Sequence, residues 1–181
     1  YLAADPVKSE GWRVRLGDKH KPRVGLVWAG SNPRANSPAS KRLDAVRSVP
    51  FAALSPLLQN DAVDYYALQV GEEALMQLRV HGDGKRVADY SRELHDFSDT
   101  AALIDNLDLV ISVDTAVAHL AGAMGKPVWL LNRHNPDWRW LLERSDSPWY
   151  PSMRIFRQAK AGDWSDVIRQ VQAELQTQTQ R

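Results

Sequence analysis

One stretch combines a carboxylate, a hydroxyl and an imidazole at the point where an apolar run gives way to a helical pattern: Ser112-Val113-Asp114-Thr115-Ala116-Val117-Ala118-His119. A helix beginning there presents amides with no intrahelical acceptor and the positive end of its dipole, a combination suited to phosphate. Thr115 and His119 are four residues apart and share a helix face, so both side chains can join those amides around one anion. Asp114 opposes an anion with its own charge and fits better against a sugar or ribose hydroxyl. The plain structural alternative is that Asp114 caps the helix and His119 packs beside the sheet.

Two further groups could support anion chemistry. The loop from Gly30-Ser31-Asn32-Pro33-Arg34 through Lys41-Arg42 to Arg47-Ser48 follows the first apolar strand and is rich in cations. A diphosphate would use one or two such groups, and Arg47 with Ser48 form the preferred pair. Arg34, Lys41 and Arg42 are more simply solvated loop charges. The segments Pro136-Asp137-Trp138-Arg139-Trp140 and Ser147-Pro148-Trp149-Tyr150-Pro151 place aromatics beside Arg and Asp. Rings can stack a base or sugar, but tryptophan more often packs a core. In an extended segment Trp138 and Trp140 face opposite ways, so at most one lines a pocket. Asp137 reads as the start, or the cap, of a short helix.

The elements that must hold these residues alternate. Strands are expected at residues 23–28, 61–69, 108–113, 127–131 and 153–156, with a weak edge strand at 87–90. Helices are expected at 51–58, 71–78, 100–106 (capped by Ser98 or Asp99) and 115–124, the last closed by Gly125 and Pro127. A final helix carries Trp164, Val167, Ile168, Val171 and Leu175 on one face. Residues 29–48 read as one long loop, and 80–86 as a turn-rich connector. Strand–helix alternation at short intervals predicts an α/β fold, a Rossmann-like parallel sheet with helices on both faces. Its ligands would gather at the carboxyl ends of the strands. The expected division is a linker or N-terminal arm at 1–22, a Rossmann-like domain at 23–176 and a fraying tail at 177–181.

The totals exclude several function classes. With 23 Lys+Arg against 22 Asp+Glu, the formal charge of +1 supplies no global field for a nucleic acid, so any anion site is local. The absence of cysteine rules out disulfides, a thiolate nucleophile and cysteine-ligated zinc, and is compatible with a cytoplasmic location. No apolar stretch approaches the ~20 residues of a transmembrane helix. Neither G-x-G-x-x-G nor G-x-x-x-x-G-K-[ST] occurs, which weighs against a nicotinamide dehydrogenase and a P-loop nucleotidase, and no metal or paired-carboxylate motif stands out. The start at Tyr1 suggests a piece of a longer or processed chain.

The run Asp108 to Pro127 (DLVISVDTAVAHLAGAMGKP) resembles the carboxyl-terminal domain of family nine, heptosyltransferase-like glycosyltransferases. It resembles still more the glycosyltransferase-like domains that follow tetratricopeptide repeats in many bacterial proteins. VGLVWAG (24–30), Arg47-Ser48, Leu68-Gln69, DFSDT (96–100), PDWRW (136–140) and SPWYPSMRIFRQ (147–158) extend the likeness over most of the chain. The resemblance implies one half of a GT-B fold that binds a nucleotide-sugar donor, with Asp114, Thr115, Ala116 and His119 around diphosphate and sugar. Gly30, Arg47 and Ser48 would close the phosphate side. It further implies metal-independent displacement at the anomeric carbon without a cofactor. The acidic base would belong to an acceptor-binding domain, which, or tetratricopeptide repeats, would lie upstream in the same chain. Residues 31–46 depart from the compact loop of the repeat-linked relatives. A non-catalytic interaction module built on a degenerate GT-B domain is the alternative.

Overall fold

The computed structural model describes residues 1–30 and 37–180; of the cationic loop, Ser31 to Asn36, including Arg34, lie outside the described residues. Six strands form one all-parallel sheet: β1 (Arg23–Val27), β2 (Asp64–Ala67), β3 (Val87–Asp89), β4 (Leu109–Val113), β5 (Val128–Asn132) and β6 (Met153–Arg157). Their order across the sheet is β3-β2-β1-β4-β5-β6. The chain winds outward from β1 in one direction and from β4 in the other, which leaves a topological switch point between these two neighbours. The expected Rossmann-like fold is thus present.

Burial explains which runs became central strands. β1 (RVGLV), β4 (LVISV) and β5 (VWLLN) are buried along their whole length, because helices cover both faces. The described residues form seven α-helices, all but α2 packing buried residues into the core: α1 (Pro6–Leu16), α2 (Pro38–Arg47), α3 (Ser55–Leu58), α4 (Glu72–Val80), α5 (Phe97–Asp105), α6 (Ala116–Ala123) and α7 (Ser165–Thr179). On one face α3, α4 and α7 bury Leu57, Leu75, Val167, Val171 and Leu175 against Leu26, Ile111 and Leu131. On the other, α1, α5 and α6 bury Trp12, Leu103 and Ala118 against Val27, Val110 and Leu130, joined by Trp140 and Tyr150.

Four expectations need correction. The segment 1–22 is more than a connection, since α1 is capped by Asp5, starts at Pro6 and docks on α5 through buried Trp12. Lys8 reaches Asp99 at 2.7 Å, and Arg15 pairs with Glu93. Residues 29–48 are not one loop: Ser37 caps α2 by accepting from the Ser40 amide, and Pro38 fills the first turn. The cap of α5 is Asp96, accepting from the Asp99 amide, rather than Ser98 or Asp99. The tail does not fray at 177, because α7 continues to Thr179, whose hydroxyl donates to the Leu175 carbonyl.

Candidate functional site

The carboxyl ends of β1 and β4 are tied together across the switch point. Beyond β1, the buried Gln69 side chain accepts from the Trp28 and Ala29 amides and donates to the Ala29 carbonyl, fixing the exit toward Gly30. The Gly30 amide donates to Ser48 Oγ at 3.0 Å, and that hydroxyl donates to the Asp44 carbonyl at 2.6 Å. Arg47 Nη1 then spans to the Asp114 carbonyl at 2.8 Å, while its Nε and Nη2 hold Asp44 Oδ1 at 3.0 and 2.5 Å. A Cβ at Gly30 would stand 2.1 Å from Arg47 Nε, so a larger residue there would displace the guanidinium from this clamp.

This clamp changes what Arg47 and Ser48 contribute. Both stand beside the switch point, as expected, but their polar atoms are engaged within the chain rather than offered to a ligand. Arg47→Met should therefore act mainly on stability. The pair is mostly screened from solvent, and losing charge-assisted bonds of this kind costs about 1–3 kcal/mol. At roughly 2–4 °C per kcal/mol for a domain of this size, a thermal melt should show a fall of several degrees.

Beyond β4, α6 begins at Ala116 with Thr115 as its N-cap residue. Thr115 makes no capping bond; its hydroxyl lies 3.1 Å from Ser112 Oγ. Asp114 does not cap the helix either, so the structural alternative for that residue fails, and the amides of the first turn keep their need for an acceptor. Ala116 is exposed at this end. Arg47, Asp114, Thr115, Ala116 and His119 line one open cleft of about 440 Å³, together with Leu43, Arg133, Asp137 and Arg139. The structure thus brings the seven sequence-selected residues together, with Gly30 and Ser48 as support beneath Arg47.

His119 is held from three sides. Its Nδ1 is 3.0 Å from the Tyr150 hydroxyl, its Nε2 is 3.8 Å from Asp114 Oδ1, and its ring stacks on Trp140 at 5.1 Å between centroids. Gly122 admits the Tyr150 ring, whose Cγ would otherwise stand 2.6 Å from a Cβ. Burial lowers the imidazole below its ordinary value; Asp114 opposes the shift, Arg139 adds to it and Asp137 opposes it. The ring is therefore mainly neutral at pH 7.

Sequence reasoning missed Arg133 and read Asp137 as the start or cap of a short helix, as it is, without placing it or Arg139 at the cleft. Arg133 is the residue after β5, so the strand-end rule that selected Asp114 also pointed to it. Among the described residues Arg133 has no ion-pair partner, whereas Arg139 Nη1 is 2.7 Å from Asp137, which also caps the turn of 3₁₀-helix at Trp138–Trp140. Trp140 is fully buried and Trp138 exposed; the segment is a turn of 3₁₀-helix rather than the extended stretch expected, and neither ring lines the cleft. The described residues contain no cluster of side chains able to hold a metal ion, and no helix among them is long and apolar enough to cross a membrane.

The chain is 31% identical over 185 residues to protein FlbA of Caulobacter vibrioides, covering 97% of this chain and 28% of that protein. Its fold matches E. coli ADP-heptose LPS heptosyltransferase II with a TM-score of 0.66 at 14% identity, covering 99% of this chain and 53% of the other. The chain therefore spans about half of that structure and less than a third of FlbA. Residues 95–166, from the entry of α5 to the start of α7, are similar to glycosyltransferase family 9 (heptosyltransferase).

Proposed function

We propose that this domain binds the nucleotide-sugar donor of a glycosyltransferase, with the sugar diphosphate in the cleft at the start of α6. The observation that carries the reading is the uncapped α6 terminus at the switch point, facing Arg133 and Arg139. The Thr115, Ala116 and Val117 amides would take the diphosphate, with Arg133 supplying charge not already held by a carboxylate. The Asp114 carboxylate would accept from sugar hydroxyls. No metal is needed in this arrangement, since amides and guanidinium groups can stabilise a departing diphosphate. Transfer would require an acceptor-binding half with its acidic base, supplied by further chain of the same protein. The partial coverage of both relatives supports that requirement.

Calorimetric titration with UDP-, ADP- and GDP-sugars tests the proposal: one of them should bind the folded domain, whereas heat from none would favour the interaction-module alternative. The pH profile is a sharper expectation. A sugar diphosphate is fully ionised throughout the neutral range and favours protonated His119, so binding should be accompanied by proton uptake. Affinity should rise as pH falls from about 8 to about 6. His119→Gln should flatten that slope. Stability runs the opposite way: with a depressed folded pKa, the His119 contribution is complete above the unfolded value near 6.5 and is lost as pH falls through the folded one.

A further inference from the structure

Behind His119, the ends of β5 and β6 lie side by side, with Asn132 and Arg157 as register partners. Leu130 and Ile155, two residues earlier on each strand, face the cluster that contains Trp140 and Tyr150, so alternation puts Asn132 and Arg157 on that face as well. Arg157 Nη2 donates to the Trp140 carbonyl at 3.1 Å. That carbonyl ends the short turn of 3₁₀-helix at 138–140, where the chain turns into Leu141 at φ 49°, a left-handed conformation uncommon outside glycine. A helix-end carbonyl needs a donor, and a cation is the favoured one.

The surroundings make this guanidinium costly to keep. Arg157 Nη1 is buried without a partner, no carboxylate among the described residues pairs with the group, and burial depresses its pKa. Both polar atoms of fully buried Asn132 and the Trp140 indole nitrogen also lack partners in the chain. An apolar side chain of similar length would avoid that desolvation cost, so the bond to the Trp140 carbonyl is the interaction that gives the residue a purpose. Trp140 is the fully buried ring against which His119 stacks, with 25° between planes.

We propose that Arg157 is a positioning residue for the cleft: by holding the Trp140 carbonyl it fixes the Trp140 ring, and the ring fixes where the His119 imidazole stands. The link to ligand binding rests on the reading of the cleft as a diphosphate site; the link to His119 does not. Arg157→Met removes the bond and nearly preserves the length of the side chain, and Arg157→Lys restores a donor.

The test is NMR of the His119 ring, assigned by the resonance missing in His119→Gln, together with titration by ADP and UDP. Stacking predicts upfield ring protons in the unaltered protein. In R157M these should move downfield and the imidazole pKa should rise toward 6.5 as cover is lost, with Asp114, Asp137, Arg139 and Tyr150 all still present. Nucleotide affinity should drop about tenfold. R157K should recover most of each change. A folded R157M whose His119 shifts and titration match the unaltered protein would overturn the proposal, as would unshifted ring protons before any substitution, a result readable even if R157M does not fold. If no nucleotide binds the unaltered protein, the diphosphate reading fails while the ring measurements still decide this one.

Discussion

Ala116→Glu should abolish nucleotide-sugar binding while leaving the fold intact or slightly firmer. Ala116 is the first residue of α6, exposed on the cleft, and the first turn of that helix contains no acidic residue. A carboxylate there interacts favourably with the helix dipole, worth about 0.3–1 kcal/mol. The same carboxylate would occupy the place assigned to the diphosphate and draw Arg133 or Arg139 toward itself. At an effective dielectric of about 20 and roughly 5 Å, one unit of like charge costs about 3 kcal/mol, or more than about a hundredfold in affinity. Melting and calorimetry on the same sample would check both halves: unchanged melting with lost binding is expected, and retained binding would move the anion away from α6.

Trp140→Ala should be the most destabilising single change at the site. The side chain is fully buried on the α5/α6 face, and truncating such a ring costs about 3–5 kcal/mol. A domain of this kind has only about 5–15 kcal/mol to lose, so chemical denaturation should show a large fall in midpoint, and thermal melting a drop on the order of 10 °C. Trp140→Phe should be far milder, because the indole nitrogen has no partner in the chain and a ring remains against His119. Equal losses from the two substitutions would show that the stack is not what supports the imidazole.

These expectations show which parts of the molecule were legible beforehand. The β4–α6 unit was readable because a continuous apolar run, a polar turn, and Gly125 at φ 73° before Pro127 each signal the same structure. α7 was readable from its single buried face. α2 was not, since none of its residues is buried and no apolar periodicity exists to reveal it. α1 escaped for a related reason: Trp12 is its one buried residue, and the polar contacts that dock it, such as Lys8 to Asp99 and Ser9 to Asp105, reach side chains more than ninety residues away. Within the site, Asp114, Thr115, Ala116 and His119 were found because the strand-to-helix turn is local in sequence. The clamp of Arg47 onto the Asp114 carbonyl joins residues 67 apart through a backbone atom, which no side-chain pattern encodes. Arg133 belongs to no motif; its place just after β5 was its one signal in the sequence, and the pairing of β5 with β4 brings it beside the same cleft.

The proposed function requires α6 to receive the diphosphate of a nucleotide sugar. Amide NMR during titration with UDP-, ADP- and GDP-sugars tests it most directly. Saturable shifts are expected for one of them, largest at Thr115, Ala116 and Val117 and extending to Arg133. Saturable shifts centred elsewhere, or none from any of the three in a folded sample, would contradict it.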